Sequence, residues 1–345
     1  MSDEEWSRVT SIAKTFNGIP LSVLDLAPIN EGGSPSETFN NSVELARHVE
    51  KLGFNRYWLA EHHNMPGVGS SATSVLIGHI AGATERMRIG SGGVMLPNHA
   101  PLVIAEQFGT LDALYPGRID LGLGRAPGSD QATAYALRRT LHSSGEDFPE
   151  QVAELRSYFD PQPNARVRAF PGEGQDIPIW LLGSSGFSAQ LAAQQGLPFS
   201  FASHFAPAYV MQALQMYHQN FKPSKNLQEP YAMLGVSIIA ADTDEKALWL
   251  ATSFQQQFLS LHRGMPTQFK PPLDDPDAVW SPSEKVSAAN MLDSPATIVG
   301  SPETVKRELE AFLNQTKANE FILSSPVFNQ EDRLRSFELI ADLMD

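Results

Sequence analysis

Residues 58–63 have the sequence Trp58-Leu59-Ala60-Glu61-His62-His63, in which three apolar residues are followed at once by a carboxylate and two imidazoles. The apolar half predicts the end of a buried strand, and the polar half starts where that strand stops. Similar changes occur in Gly90-Ser91-Gly92-Gly93, Gly122-Leu123-Gly124-Arg125 and Gly183-Ser184-Ser185-Gly186. Polar groups and glycines that recur at strand ends are typical of a site built on parallel strands. We therefore expect an active site at these ends.

Outward from this stretch, strand-like apolar runs alternate with segments of helical periodicity. Eight strands are predicted, at residues 20–29, 56–61, 87–96, 118–123, 177–182, 198–202, 231–241 and 321–324. Helices are predicted at residues 36–52, 72–84, 101–114, 188–195, 206–221, 301–317 and 332–344, within 128–159 and from 244 onward. This alternation predicts a (β/α)₈ TIM barrel that spans residues 1–345 as one domain. A doubly wound open sheet alternates in the same way, but it would concentrate functional residues near one switch point.

Residues 254–293 are rich in proline, glutamine and aspartate and show little periodicity. We predict an insertion in the C-terminal part of the barrel. A mobile lid over the barrel mouth and a solvated connector explain this composition equally well.

Composition excludes several classes of function. The 345 residues carry a formal net charge of −14 with no dense Lys/Arg run, which disfavours nucleic acids and anionic membrane surfaces as partners. The chain has no cysteine, so disulfides, thiolate metal sites and cysteine nucleophiles are excluded. The polar start of the chain and the lack of a long apolar run predict a cytoplasmic protein.

The Glu61-His62-His63 stretch offers acid–base chemistry, because imidazole titrates near neutral pH. Side chains leaving a strand alternate in direction, so only one of the two histidines readily faces the barrel axis. A Glu–His pair also suits a metal, but no third ligand at a suitable spacing is evident, since His79 and His99 fall within or before helices. We therefore predict no metal site. A hydrogen-bonded structural role is the alternative for either histidine.

The other strand ends predict a cradle for a phosphate. Glycine inside a strand marks close approach of a ligand or tight packing, and Gly92 and Gly93 form such a pair. Arg125 ends an apolar strand and supplies a cation. The turn from Gly183 to Ser188 opens a helix, and backbone N–H groups there, together with serine hydroxyls, suit an anion. Plain N-capping by serine is the compatible alternative.

Together these motifs resemble the bacterial luciferase-like family of flavin-dependent monooxygenases, in its single-chain bacterial branch, over residues 20–343. They are Glu-His-His after strand two, Gly-Ser-Gly-Gly-Val-Met-Leu-Pro at 90–97, Pro-Leu-Val-Ile-Ala-Glu-Gln at 101–107, Gly-Arg-Ile-Asp-Leu-Gly-Leu-Gly-Arg-Ala-Pro-Gly at 117–128, and the serine-rich turn followed by Gly196-Leu197-Pro198. The resemblance implies a TIM barrel that uses reduced FMN, supplied by a separate flavin reductase, and dioxygen to oxidise a small organic substrate. It also implies a homodimer.

The resemblance also implies roles for individual residues. His62 matches the histidine beside the flavin ring, and Gly92 and Gly93 match a pair joined by a cis peptide that packs on that ring. Arg125 matches the phosphate-binding arginine, and the phosphate turn corresponds to Ser184, Ser185, Gly186 and Ser188. Luciferase alpha chains have a cysteine where this chain has Gly124, which leaves more room beside the flavin and puts light emission in doubt.

Three alternatives remain open at this point. The first is a dehydrogenase dependent on the deazaflavin F420, which relatives of this barrel also resemble. The second is a flavin-binding protein without catalysis, against which His62 argues. A metal-dependent hydrolase on the same barrel is disfavoured by the missing ligands. The identity of the substrate does not follow from these motifs.

Overall fold

The computed structural model describes residues 13–126, 131–138 and 145–345. The predicted polar start and parts of the predicted 128–159 helical region lie outside them. The strands are β1 Thr15–Phe16, β2 Ile19–Asp25, β3 Arg56–Leu59, β4 Arg88–Ser91, β5 Val94–Met95, β6 Ile119–Gly124, β7 Ile179–Gly183, β8 Phe199–Phe201, β9 Ala232–Ala240, β10 Thr297–Gly300 and β11 Glu320–Ser324. The helices are α1 Pro35–Leu52, α2 Thr73–Ala83, α3 Pro101–Leu114, α4 Gln131–Arg138, α5 Phe148–Phe159, α6 Gly186–Gln195, α7 Val210–Asn220, α8 Asp244–His262, α9 Pro276–Val279, α10 Pro282–Leu292, α11 Pro302–Thr316 and α12 Gln330–Ala341.

The parallel sheet closes on itself. Its order is β2-β11-β9-β8-β7-β6-β4-β3, and β2 also pairs with β3, as in the register of Val23 with Tyr57. An open sheet would leave two unpaired edges, whereas here every one of these eight strands has a parallel neighbour on both sides. The predicted (β/α)₈ barrel is therefore confirmed, and the doubly wound alternative is wrong.

Local sequence signals explain why the elements begin and end where they do. The side chain of Ser34 accepts a hydrogen bond from the backbone N–H of Glu37 at the start of α1, and Pro35 occupies its first position. Gly53 ends the same helix with a φ of 94°, a left-handed conformation that favours glycine. None of the helices in the described part of the chain is both long and apolar enough to cross a membrane.

The strand predictions differ from the structure in three places, of which one is the short antiparallel strand β1, which was not predicted. The single strand predicted over 87–96 is divided into β4 and β5, and the Gly92–Gly93 peptide bond, which is cis, lies between them. The short strand β10 was not predicted. It pairs with the end of β9, where Ile298 lies opposite Ile238, and among the described strands it lies outside the closed circle.

Residues 254–293, predicted as an insertion from their composition and weak periodicity, contain regular structure. Residues 254–262 continue α8, and α9 and α10 follow; Ser281 and Glu284 form a reciprocal capping box at the start of α10. This serine–glutamate spacing was readable in the sequence. Between α8 and α9, Phe269 is buried and its backbone bonds to Ile29 and Glu31, in the loop after β2. The segment therefore touches the barrel mouth, while its function as a lid stays a prediction.

The barrel interior is filled in layers. At the amino ends of the strands, buried Arg56 bonds to Asp120 (2.8 Å) and Glu320 (3.0 Å), and Arg88 also bonds to Asp120. Above this ionic layer, Trp58 and Trp180 meet edge to face with ring centroids 5.3 Å apart. These two layers fill the barrel interior at the amino ends of the strands, and the predicted site residues follow the strands at the opposite, carboxyl ends.

Candidate active site

The predicted site residues follow four neighbouring strands at the same end of the barrel. His62 is half-buried in the loop after β3, and Gly92 and Gly93 lie between β4 and β5. Arg125 directly follows β6, and the serine-rich turn follows β7. Since β3, β4, β6 and β7 are adjacent in the sheet, the fold places all of these residues along one arc of the barrel mouth.

Direct contacts connect three of these strand ends. The backbone N–H of Met95 donates a hydrogen bond to Glu61 Oε2 (3.1 Å). A Cβ atom at Gly124 would lie 2.7 Å from Met95 Sδ, so the thioether packs against the backbone just before Arg125. The space that Gly124 leaves is thus occupied by Met95, whereas we expected extra room beside a flavin.

Arg125 and the serine-rich turn meet. The guanidinium carbon of Arg125 lies 4.3 Å from the centroid of the Phe187 ring, in the first turn of α6. A cation stacked on a ring is held in a narrower range of positions than a free arginine. The positive charge is therefore placed beside a helix N-terminus, where backbone N–H groups already favour anions.

The hydroxyls of the turn differ in exposure. Ser184 and Ser185 are exposed, while Ser188 is buried against Gly183, where a Cβ atom would lie 2.6 Å from Ser188 Cβ. Ser185 is the N-cap residue of α6 but its side chain makes no capping hydrogen bond. The N-capping alternative is therefore not realised by this side chain.

The glycine pair fits tightly between its neighbours. A Cβ atom at Gly92 would lie 2.6 Å from Leu24 Cδ1, and one at Gly93 would lie 2.8 Å from the carbonyl oxygen of Gly122. At Gly93 the obstacle is backbone, so only glycine fits there, whereas a side chain at Gly92 would require the end of Leu24 to move. Tight packing therefore explains why glycine occurs at residue 93. The contact of this glycine pair with a flavin stays a prediction.

Glu61 is the centre of a cluster that the sequence did not predict. Its Oε1 accepts hydrogen bonds from Nε2 of His63 (2.9 Å) and Nε2 of His99 (2.8 Å). Burial alone would raise the pKa of Glu61, but the hydrogen bonds from His99, His63 and the Met95 backbone together lower it. Glu61 is therefore an anion. His99 does precede a helix as expected, but the 3₁₀ turn Leu96–Asn98 brings it back to Glu61.

His204 is a further candidate that the sequence reasoning missed. It follows β8, and its ring occupies the space beside Gly235, where a Cβ atom would lie 2.4 Å from its Nδ1. Burial lowers the pKa of His204 to about 4, although its hydrogen bond to the Gly235 backbone raises it in part. The imidazole is thus neutral at pH 7. The apolar-to-polar change in Phe199-Ser200-Phe201-Ala202-Ser203-His204 was a signal of the kind that singled out His62.

A parallel barrel with its polar groups at the carboxyl ends of the strands defines an enzyme-type site. Comparison with known proteins identifies the family: residues 19–320 match the model of the luciferase-like monooxygenases. The chain belongs to this family.

Related proteins extend over nearly the whole chain. A protein named luciferase-like monooxygenase from Escherichia coli (strain K12) is 55% identical over 96% of this chain and 98% of its own length. The N-acetyl-S-alkylcysteine monooxygenase of Bacillus subtilis (strain 168) is 32% identical over 94% of this chain and 98% of its own. Among solved structures, apo-MsnO8 superposes with a TM-score of 0.84 at 33% identity, covering 94% of this chain and 98% of its own.

Two more distant structures share the fold. The oxygenating constituent of 3,6-diketocamphane monooxygenase from Pseudomonas putida, in complex with FMN, has a TM-score of 0.70 at 17% identity and covers 94% of this chain and 96% of its own. An F420-dependent secondary alcohol dehydrogenase, in complex with an F420–acetone adduct, has a TM-score of 0.64 at 16% identity and covers 95% and 99%. Proteins of this fold thus include both an FMN complex and an F420 complex.

Proposed function

We propose that this protein is a monooxygenase that uses reduced FMN and dioxygen to oxidise a small organic substrate. The observation that carries the proposal is the stacking of Arg125 on Phe187 at the start of α6. It places a guanidinium beside the backbone N–H groups at the start of α6, and a cation together with such donors suits the charge and the acceptor oxygens of a phosphate monoester. FMN has such a group.

The cofactor-binding residues in this proposal are Gly92, Gly93, Arg125, Ser184, Ser185, Gly186 and Ser188. Arg125 and the exposed hydroxyls of Ser184 and Ser185 would hold the phosphate, and buried Ser188 would shape the turn from below. The cis peptide Gly92–Gly93 would lie under the ring system. Bound reduced FMN supplies the electrons that activate dioxygen.

His62 is the proposed catalytic residue. It lies in the loop after β3, half-buried at the end of the barrel where the phosphate cradle is. An imidazole there can donate or accept a proton as the reaction proceeds. The contact of the Phe269 segment with the loop after β2 supports a covering of the mouth that excludes water.

F420 is the alternative cofactor, because a dehydrogenase of the same fold binds it. The relative that acts as an N-acetyl-S-alkylcysteine monooxygenase favours the oxygen-dependent reaction and makes thioethers a reasonable first substrate class. A separate flavin reductase, a homodimer and a cytoplasmic location stay predictions.

The test compares cofactors and oxygen dependence. We expect reduced FMN to bind more tightly than oxidised FMN or F420 in anaerobic titrations. With a flavin reductase, NADH, FMN and ¹⁸O₂, we expect one ¹⁸O atom in the product of an N-acetyl-S-alkylcysteine substrate, and loss of turnover in His62→Gln. Oxygen-independent oxidation of an alcohol coupled to F420 reduction would instead establish the dehydrogenase.

A further inference from the structure

We propose that Glu61, His63 and His99 form a binding site for a divalent transition-metal ion of the Zn²⁺ type. The oxygen of Glu61 and one ring nitrogen of each histidine lie within 4.8 Å of one another. Within residues 13–126, 131–138 and 145–345, this is the one such group of three potential ligands. Two imidazoles and a carboxylate are a common ligand set for zinc.

The spacing of the three ligand atoms is close to what a metal requires. Both histidines direct Nε2 at the same oxygen, Glu61 Oε1, at 2.9 and 2.8 Å. Bonds of about 2.1 Å in tetrahedral geometry separate ligand atoms by about 3.4 Å. Each contact therefore has to lengthen by only about half an ångström, which side-chain rotation provides. Each neutral imidazole would then carry its ring proton on Nδ1, so that Nε2 presents a lone pair to the metal.

Burial and charge also suit an ion. The carboxylate is 2% exposed, and its second oxygen is already held by the backbone N–H of Met95, which fixes its orientation. The side chains of His63 and His99 are 17% and 27% exposed, so an ion can enter from solvent and retain an open position. Groups of exposed carboxylates are common in proteins without a bound metal. This cluster is of another kind, because its carboxylate is buried and two imidazoles face it.

The hydrogen-bonded cluster is the competing explanation, and glutamine substitutions distinguish it from a metal site. A glutamine at 63 or 99 retains an N–H that can bond to Glu61 but loses the imidazole nitrogen that would bind the ion. His79, exposed on α2, provides a matched control. None of the three ligands is among the residues proposed to bind FMN, so the result of the metal titration does not depend on whether FMN binds.

The experiment is calorimetric titration of zinc chloride into the full chain after treatment with a chelator. We expect one Zn²⁺ per chain, at least tenfold weaker binding in His63→Gln and His99→Gln, and unchanged binding in His79→Gln. Zinc should also raise the melting temperature of the wild type more than that of the two variants.

A measurement on the wild type keeps the test independent of how the variants fold. In crystals soaked with zinc, an anomalous difference peak should lie about 2.1 Å from all three ligand atoms. No uptake by the wild type, uptake unaffected by both glutamine substitutions, or a peak elsewhere would overturn the proposal.

Discussion

Replacing Arg125 with alanine should weaken the binding of FMN without affecting the binding of riboflavin. Arg125 is half-buried and stacked 4.3 Å from the Phe187 ring centroid, so its guanidinium is already positioned before a ligand arrives. A hydrogen bond to a charged group contributes about 1.5–3 kcal/mol. At 1.4 kcal/mol for each factor of ten, Arg125→Ala should raise the Kd for FMN by about 12- to 140-fold.

Riboflavin provides the internal control, because it has the same ring system without the phosphate. Its Kd should change by less than about twofold if Arg125 contacts only the phosphate. Arg168 is the matched control residue: it also stacks on a phenylalanine, 4.7 Å from the ring centroid of Phe170, but it lies in the connection from α5 into β7, at the opposite end of the barrel. Arg168→Ala should leave both affinities unchanged.

Fluorescence titration of oxidised FMN and riboflavin, with anaerobic calorimetry for the reduced forms, measures these four constants. Equal losses for FMN and riboflavin would mean that Arg125 acts on the ring or on folding. An unchanged affinity for FMN would refute the phosphate assignment.

Three further predictions concern the fold and its pH dependence. Gly122→Ala should lower the free energy of unfolding, measured by urea titration, by at least about 3 kcal/mol, because the new Cβ would lie 2.1 Å from a backbone oxygen. The control Gly78→Ala should be neutral or stabilising, because its Cβ would face one flexible leucine in a helix. Equal melting temperatures for the two variants would contradict the predicted clash at Gly122. Asp120→Asn should lower the free energy of unfolding, measured by urea titration, by about 3–5 kcal/mol, because it leaves two buried arginines without their shared anion. A loss smaller than that caused by breaking an exposed ion pair would show that the ionic layer is dispensable. His204 has a folded-state pKa of about 4, below the unfolded value of about 6.5, so the unfolded chain binds one more proton between these values. The free energy of unfolding should therefore fall with decreasing pH across this window. In His204→Asn, the slope of the free energy of unfolding against pH should be smaller by up to about 1.4 kcal/mol per pH unit. An identical slope in the variant would show that the His204 ring is not shielded from solvent.

The strands of the barrel could be predicted because their signal is local. Runs such as Ile179–Gly183 are apolar, short and bounded by polar residues or glycine, and burial on both faces of a parallel strand requires this composition. Helix α3, predicted at residues 101–114, has the same bounds in the structure because a proline starts it. The strand β10 was not predicted, because four residues paired on one side carry too little pattern.

The candidate site was predictable only in part. Strand-end chemistry located His62 and Arg125, since a residue after a buried strand must lie at the barrel mouth. The stacking of Arg125 on Phe187 and the approach of His99 to Glu61 join residues 62 and 38 positions apart. Periodicity contains no information on such separations.

The sequence by itself determined the alternation of eight strands with helices and the strand ends where chemistry is possible, because hydrophobic pattern and strand boundaries are properties of neighbouring residues. Closure of the sheet was decided by the tertiary structure, since it depends on the pairing of β2 with β3. Only the tertiary structure decided which side chains meet at those strand ends. That depends on the order of strands around the barrel and on turns such as Leu96–Asn98, which set distances between residues far apart in the chain.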